Sequence, residues 1–281
     1  MKKIRISKKR CIVTSIIIVL IIILCILAFD TRIKVQTYSI SSDKLSSDIR
    51  IVLITDLHSC EYGDGESELI EAIDSQKPDV IMLGGDICDD VVPDDNAEAL
   101  LKGISNKYPC YYVTGNHEYW SDHIDKILNM FYTYGVEVLN GTSDTLLING
   151  QFINICGITD PDAAYSELET DDQLKSLKNI GNNGYYTILL AHRPELIDSY
   201  AEYNFDLILC GHAHGGQWRL PGIINGLYAP NQGIFPKYAG GLYNVESSVM
   251  IVSRGLAKES TRIPRIFNRP ELVVINLNSG K

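Results

Sequence analysis

Residues 51–58 read IVLITDLH, a strand-like apolar run that ends in a carboxylate and an imidazole. Side chains two apart on an extended strand point to the same side, so Asp56 and His58 can face a common ligand. Further apolar runs end in the same way, in groups that bind metal ions: Asp86, Asn116 with His117, His192, and His212 with His214. This repetition indicates a metal centre built at the strand ends of a sheet.

The order of apolar patterns predicts the fold class. Apolar residues recur at helical spacing within residues 69–73, 97–104 and 124–131, between the first strand-like runs. Later strand-like runs cover residues 145–148, 152–158, 248–253 and 272–277. Strands that alternate with helices first and follow one another later favour a mixed α/β sandwich over a wholly parallel sheet.

The amino end predicts a membrane anchor. Residues 1–10 hold six Lys and Arg side chains, and the 19 residues from Cys11 to Phe29 are uncharged. At about 1.5 Å per residue, that segment nearly crosses a hydrocarbon core of about 30 Å. Its length and the poor cleavage site at residues 26–28 favour a single uncleaved transmembrane helix over a cleaved signal. The basic flank predicts a cytoplasmic amino terminus, with residues 30–281 on the outer side of the cell membrane.

The remaining chain divides into a short connection and one large domain. Residues 30–45 are rich in Ser and Thr and are expected to be an extended tether, with the domain at residues 46–281. Residues 31–281 carry 19 basic and 34 acidic side chains, a net charge of −15. A body this acidic repels a phosphate backbone, so long nucleic acids are not expected as partners. Cys60 and Cys88 each follow a proposed metal ligand by two residues, which leaves both a disulfide and simple packing open.

The number of ligand groups predicts two ions rather than one. Seven carboxylate, amide and imidazole groups exceed the three or four of a single zinc site. They suit two divalent cations that share a bridging carboxylate. The mixture of Asp, Asn and His is compatible with Mn, Fe or Zn.

The order of the motifs resembles that of the calcineurin-like metallophosphoesterases. That order is Asp-x-His, Gly-Asp, Gly-Asn-His-Glu, a lone His and Gly-His-x-His, and the resemblance spans about residues 49–277. Residues 211–217, GHAHGGQ, resemble the bacterial branch of anchored or exported phosphodiesterases related to UDP-diacylglucosamine hydrolases. The resemblance implies an αββα sandwich of two mixed β-sheets flanked by helices.

The resemblance also implies a role for each motif residue. The first metal would be held by Asp56, His58 and His214, the second by Asn116, His192 and His212, with Asp86 bridging the two. His117 would not bind metal but would stabilise or protonate the leaving oxygen. Asp89 would brace His117, as carboxylates do for imidazoles elsewhere. Glu118 is expected to begin a helix, where its charge favours the helix dipole.

The implied function is that of a membrane-anchored dimetal phosphoesterase. It would hydrolyse phosphodiester bonds with a metal-activated hydroxide, on a cell-envelope substrate that is lipid- or wall-linked. Two alternatives stay open: a phosphomonoesterase or nucleotidase on the same fold, and a non-catalytic metal-binding envelope protein.

Residues 215–247 are dense in Gly, Pro and aromatic residues, which excludes long helices. A long ordered loop of this kind is either a binding element or a packed surface excursion. Four residues are candidates for substrate contact, with structural packing as the alternative for each: Arg193, Gln217, Trp218 and Tyr238.

Overall fold

Two six-stranded mixed sheets form the body of the protein. The computed structural model describes residues 8–163, 167–258 and 264–280. The first sheet contains β1 (Lys34–Ser42), β2 (Ile49–Ile54), β3 (Val80–Gly84), β4 (Cys110–Val113), β5 (Glu137–Val138) and β14 (Glu271–Ser279), in the order β1-β14-β2-β3-β4-β5. The second contains β6 (Thr142–Ile148), β7 (Gln151–Gly157), β8 (Tyr186–Leu190), β9 (Leu207–Cys210), β12 (Gly241–Val245) and β13 (Ser248–Val252), in the order β12-β13-β9-β8-β7-β6. A two-stranded ribbon pairs β10 (Tyr228–Ala229) with β11 (Gly233–Ile234).

Helices cover the outer faces of both sheets. The described helices are α1 (Lys8–Ala28), α2 (Ser67–Gln76), α3 (Asp95–Ile104), α4 (Asn116–Trp120), α5 (Ile124–Thr133), α6 (Glu167–Leu177) and α7 (Ile197–Ala201). Apolar residues of α2, α3 and α5 pack on the first sheet, and those of α6 and α7 pack on the second. The predicted αββα sandwich of two mixed sheets is confirmed.

The alternation of side chains along β2 shows how the sandwich forms. Ile51 and Leu53 point into the core between the sheets, while Val52 and Ile54 point outward to the helices. All four are completely buried, so residues 51–54 have no polar face, whereas Arg50 earlier in the strand is exposed. Burying each such side chain stabilises the fold by about 1.5–3 kcal/mol. A segment covered on both faces reads as an unbroken apolar run, as residues 51–54 do.

Parallel pairing brings the carboxyl ends of the central strands together. In the first sheet Ile54 pairs with Leu83, and Gly84 pairs with Val113. In the second sheet Leu190 pairs with Leu209. The chain therefore leaves β2, β3, β4, β8 and β9 at neighbouring points, and every predicted metal ligand follows one of these exits.

Residues 34–42 are an edge strand, and the predicted tether at 30–45 is wrong over most of its length. β1 runs parallel to β14 through nine residue pairs, from Lys34 with Glu271 to Ser42 with Ser279. Tyr38 and Ile40 pack against the core between the sheets. Apolar residues two positions apart, such as these, are typical of a strand with one buried face, but the Ser and Thr content of the segment obscured this pattern.

α1 leads directly into this edge strand. Among the described residues it is the one helix long and apolar enough to cross a membrane. Its side chains from Ile12 to Leu27 are exposed on every face, whereas Ala28 at its end is only 8% exposed. The helix covers most of the segment predicted at residues 11–29.

The pairing of β1 yields a stability prediction. A form that begins at Asp30 should unfold at a higher temperature than one that begins at Asp43, although both lack α1. Removing β1 exposes the edge of β14 and should cost at least about 2–3 kcal/mol, roughly 5–10 °C in Tm at this size. Thermal unfolding followed by circular dichroism measures the difference. Equal transition temperatures would show that residues 30–42 are a tether after all.

Candidate metal centre

Two groups of ligand atoms meet at Asp86. One consists of Asp56, His58, Asp86 and His214, the other of Asp86, His192 and His212, and the ligand atoms of each group lie within 4.8 Å of one another. His192 Nε2 lies 3.1 Å from Asp86 Oδ2, and His58 Nε2 lies 3.6 Å from the same oxygen. All of these residues are buried. The structure thus brings together ligands from both sheets, with one carboxylate common to the two groups.

Several ligand atoms at this point are buried without a hydrogen-bond partner: Asp56 Oδ2, His58 Nε2, Asp86 Oδ2, Asn116 Oδ1 and His214 Nδ1. An unpaired polar atom in a protein interior costs free energy, and most buried polar groups are paired. Divalent cations would satisfy these five atoms, one of which belongs to the carboxylate of Asp86. The residues therefore fit the two ions that the sequence predicts.

Hydrogen bonds fix three of the imidazoles with one nitrogen turned toward the clusters. His192 Nδ1 donates to the Gly84 carbonyl oxygen at 2.8 Å, and His58 Nδ1 donates to Asp89 Oδ2 at 3.0 Å. His212 reverses the arrangement: Nε2 donates to Asn231 Oδ1 at 2.9 Å, and Nδ1 faces His192 Nε2 at 3.2 Å. Such partners fix the tautomer and orientation of a metal-binding imidazole.

Burial and mutual charge set the protonation of the cluster. Burial lowers the pKa of His212 and His214 well below its usual value, which keeps both imidazoles neutral and able to bind a cation. Burial also acts to lower the pKa of His192, but the Asp86 carboxylate more than offsets this and brings it to about 10. Although burial acts to raise the pKa of Asp86, the charges of His192 and His58 hold that pKa well below the usual range. The shared residue is therefore a carboxylate.

The backbone at the centre has left-handed dihedral angles at five ligand residues: Asp56, His58, Asp86, His212 and His214 have φ between 46° and 64°. Non-glycine residues adopt this region at a cost of about 1 kcal/mol or more each. The concentration of this conformation at the strand ends turns side chains from two sheets toward one another.

Glu118 lies in the first turn of α4, as expected, and is also a buried support for the site. Its Oε1 accepts hydrogen bonds from the backbone N–H groups of Ile87 and Cys88, and its Oε2 accepts from those of Asp86 and Gly115. The side chain is completely buried. One carboxylate thus joins the loop after β3 to the loop after β4. The pattern Gly-Asn-His-Glu gave no signal of this, because the four donors come from backbone.

The glycine before Asp86 makes room for the His192 imidazole. A Cβ on Gly85 would lie 2.6 Å from His192 Nδ1, and its φ of +87° disfavours other residues. The imidazole can reach the Gly84 carbonyl only because that Cβ is absent.

His117 lies at the rim of the centre, and its nearest carboxylate is not the one expected. Its Nδ1 donates to Asp90 Oδ1 at 2.7 Å, whereas Asp89 Oδ2 is 3.4 Å away and closer to His58. Burial lowers the pKa of His117, but hydrogen bonds to Asp89 and Asp90 and the charge of Asp86 raise it overall to about 9. Asp89 therefore contacts both His58 and His117, and Asp90 is a second brace of His117 that sequence reasoning missed.

Arg193 stands in a chain of contacts that ends at His212. Its Nε and Nη2 donate to the two oxygens of Asp160, at 2.6 and 2.8 Å, and its Nη1 donates to Asn231 Oδ1 at 3.0 Å. The same Asn231 oxygen accepts from His212. Arg193 is only 5% exposed, so its first role is to hold Asn231 against the ligand. Neither Asp160 nor Asn231 belongs to a recognisable motif, and sequence reasoning missed both.

Of the other three candidates for substrate contact, two are buried and one is exposed. Gln217 and Tyr238 are buried, and Tyr238 packs in the core under the second sheet. Trp218 is 42% exposed and donates its Nε1–H to the Pro264 carbonyl oxygen. Cys60 and Cys88 are both free thiols, so no disulfide joins them.

Two clefts of about 450 Å³ each flank the centre. One is lined by Arg193, Glu195 and Asn231, of which Asn231 contacts His212. The other is lined by His58, Asp89, Cys60 and Lys258. The first cleft therefore adjoins a contact of His212, and the second is lined by His58 itself.

The chain matches a family model described as calcineurin-like phosphoesterase over residues 49–216, the segment that contains every ligand discussed above. The chain belongs to the calcineurin-like phosphoesterase family. It is 33% identical over 190 residues to an uncharacterized metallophosphoesterase of Helicobacter pylori, covering 66% of this chain and 50% of that protein. It is 27% identical over 246 residues to a Bos taurus transmembrane protein with metallophosphoesterase domain, covering 83% and 53%.

Among solved structures, the NAD nucleotidase of Haemophilus influenzae is similar, with a TM-score of 0.53 and 15% identity over 75% of this chain and 46% of that one. This likeness shows the fold alone. The chain spans about half the length of the two relatives named above, and their names give no substrate. The narrower link to UDP-diacylglucosamine hydrolases stays a prediction.

The role of Glu118 yields a second prediction. In Glu118→Gln, one carboxylate oxygen becomes an NH₂ group that faces two backbone N–H donors. We expect a loss of about 2–4 kcal/mol in stability and a weaker hold on divalent metal, because the loop of Asp86 loses its anchor. Urea unfolding and metal titration measure the two effects. Glu71→Gln, on the exposed face of α2, is the matched control. A Glu118→Gln protein as stable as this control would contradict the assigned role.

Proposed function

We propose that this protein is a membrane-anchored dimetal phosphoesterase that hydrolyses phosphodiester bonds. The observation that carries the proposal is the set of buried, unpaired ligand atoms arranged on both sides of Asp86, with His117 at the rim. Membership of the calcineurin-like phosphoesterase family supports the reaction class.

The geometry supports one ligand assignment. Asp56, His58 and His214 would hold the first divalent ion, with Mn, Fe and Zn all compatible with the donors. Asn116, His192 and His212 would hold the second, and Asp86 would bridge. When bound, the two ions would supply Lewis-acid activation of water and would neutralise charge on the phosphate.

The residues around the ions would position the substrate and move a proton. The His117 side chain is 16% exposed at the rim of the centre, and Asp90 holds its imidazole. Hydrogen bonds to Asp89 and Asp90 raise the pKa of His117 and so favour the protonated imidazole, which is the form that donates a proton to a leaving oxygen. A scaffold without turnover has no use for such a donor, which argues against the non-catalytic alternative.

The two clefts favour a diester over a monoester. A phosphodiester carries a substituent on each side of phosphorus, and each cleft offers a separate space beside the centre. Cavities of this size accept groups as large as a sugar or a glycerol unit. A monoesterase needs only one such space.

The amino end supports a location at the cell membrane, with the catalytic domain on the outer side. α1 is long and apolar enough to span a bilayer, and the six basic residues among the first ten favour the cytoplasmic side for the amino end. A relative from Bos taurus is named a transmembrane protein with this domain. An enzyme held there meets phosphate esters of the envelope, lipid- or wall-linked, as its nearest substrates.

The shared ligand yields a prediction about metal content. Asp86→Ala should lose both ions, whereas Asp56→Ala and His192→Ala should each lose one. Elemental analysis of purified, folded protein measures the stoichiometry, with Asp172→Ala, an exposed carboxylate on α6, as control. Fewer than two ions per chain in fully loaded wild type would defeat the dimetal proposal.

His117 yields a prediction about catalysis. His117→Ala should keep both ions and its fold but lose about 10²–10⁴-fold in kcat on a diester with a poor leaving group. The loss should be smaller on bis-p-nitrophenyl phosphate, whose leaving group needs less protonation. His123→Ala, at a half-buried histidine next to α5 and outside the centre, is the control.

The same assay separates the two esterase functions. Wild-type protein should show a higher kcat/KM for bis-p-nitrophenyl phosphate than for p-nitrophenyl phosphate. The opposite preference would favour a phosphomonoesterase. Loss of metal from His117→Ala would show instead that His117 is a ligand.

A further inference from the structure

The loop that follows the last ligand motif carries an exposed apolar surface. Its members are Trp218, Leu220, Ile223, Tyr228, Ile234 and Phe235, which we call the apolar loop surface. Ile223, Ile234 and Phe235 are 78%, 69% and 65% exposed. An exposed cluster of large apolar side chains on a soluble face is unfavourable unless something covers it.

This surface is rigidly built. The Leu227 N–H lies within hydrogen-bond distance of the carbonyl oxygens of Gly216 and Trp218, and the Phe235 N–H donates to Leu227 O at 2.8 Å. The ribbon of β10 and β11 joins the two halves of the loop. The apolar side chains are therefore held outward by a hydrogen-bonded backbone rather than carried on a loose connection.

A short segment ties the apolar loop surface to the end of α1. The Phe267 N–H donates to the carbonyl oxygen of Ala28, the last residue of the helix, at 2.8 Å. The neighbouring Ile266 pairs with Trp218 as a parallel bridge, and the Trp218 indole donates to Pro264 O. The loop is thus attached to the point where the apolar helix ends.

The same segment reaches the metal centre. Asn268 Nδ2 donates to the backbone oxygens of His214 at 2.7 Å and Gln217 at 3.1 Å. Consecutive Cα atoms lie only about 3.8 Å apart. The helix end, held by Phe267, and the ligand motif, held by Asn268, are therefore separated by a single step along the chain.

We propose that the apolar loop surface inserts into the interfacial zone of the same lipid bilayer that α1 crosses. The proposal rests on the proposed function in one respect, that α1 spans a membrane. Attachment to the helix end keeps the loop close to the bilayer surface, and the polar and headgroup layer beyond the hydrocarbon is about 5–7 Å deep on each side. Trp and Tyr favour this zone because their rings are apolar with one polar atom.

Two-point attachment has a consequence for the substrate. A helix alone lets the domain rotate about its axis, whereas a helix and an inserted loop together fix which face meets the membrane. Because Asn268 joins that face to His214, the metal centre would open at headgroup level. The accessible phosphodiesters would be those of lipid headgroups or of groups carried on lipids.

Tryptophan fluorescence of the full chain in vesicles tests the proposal. The chain has two tryptophans, so Trp120→Phe leaves Trp218 as the only emitter, and Trp218→Phe leaves Trp120. The vesicles contain phosphatidylcholine with a minority of phosphatidylglycerol, in plain form or brominated near the top of the acyl chains. Brominated lipid should quench Trp218 emission about twofold or more and leave Trp120 emission nearly unchanged. Acrylamide in the water should quench Trp120 more strongly than Trp218.

A variant pair sharpens the test. Ile223→Ser with Phe235→Ser should reduce quenching of Trp218 by brominated lipid, whereas Leu147→Ser with Phe152→Ser should not. The control residues are also exposed and apolar, but they lie on β6 and β7, at the opposite edge of the second sheet. Equal effects of the two pairs would contradict the proposal.

Two other results would overturn it. If acrylamide quenches Trp218 emission and brominated lipid does not, the surface faces water. If neither acrylamide nor brominated lipid quenches Trp218 emission, protein covers the surface. Hydrolysis of bis-p-nitrophenyl phosphate by protein in the same vesicles is measured alongside, because this small soluble substrate needs the catalytic site but not the membrane contact. Normal hydrolysis together with either of these two results would contradict the membrane contact and leave the proposed function standing.

Discussion

The shared carboxylate of Asp86 is the constraint on which the rest of the structure depends. It lies completely buried between imidazoles from both sheets, and one of its oxygens has no hydrogen-bond partner. Burying a charge is unfavourable unless opposite charge compensates it. The buried, unpaired oxygen atoms of Asp56 and Asn116 add to this unfavourable free energy. The fold therefore concentrates acceptors at one point, and cations are the groups that relieve the cost.

The scaffold around Asp86 shows what holding such a carboxylate requires. Parallel strands from two sheets end at one edge, and left-handed backbone turns the ligands inward. Glu118 fastens the loops after β3 and β4 through four backbone donors, while Asp160 and Arg193 secure Asn231 against His212. These supports are buried polar contacts, which are costly to leave incomplete. The rigidity of the centre thus comes from residues that would not touch a substrate.

Sequence alone placed the proposed ligands at neighbouring strand ends but missed most of the residues that support them. The ligands follow apolar runs in short motifs, so strand periodicity placed Asp56, Asp86 and His192 correctly at strand ends. Asn231 and Asp160 lie far from those motifs, and only the folded chain brings them near His212. Asp90 was missed because its neighbour Asp89 matched the expected spacing. β1 was misread as a tether, since an exposed edge strand carries polar residues like those of a linker.

We propose a two-ion centre and a membrane contact in the same sandwich. The central claim is that two cations flank Asp86. Anomalous diffraction from crystals grown with Mn²⁺ tests that claim most directly. The account predicts two peaks about 3.5–4 Å apart, one beside Asp56, His58 and His214 and the other beside Asn116, His192 and His212. A single peak in fully loaded crystals, or a pair with no contact to Asp86, would contradict it.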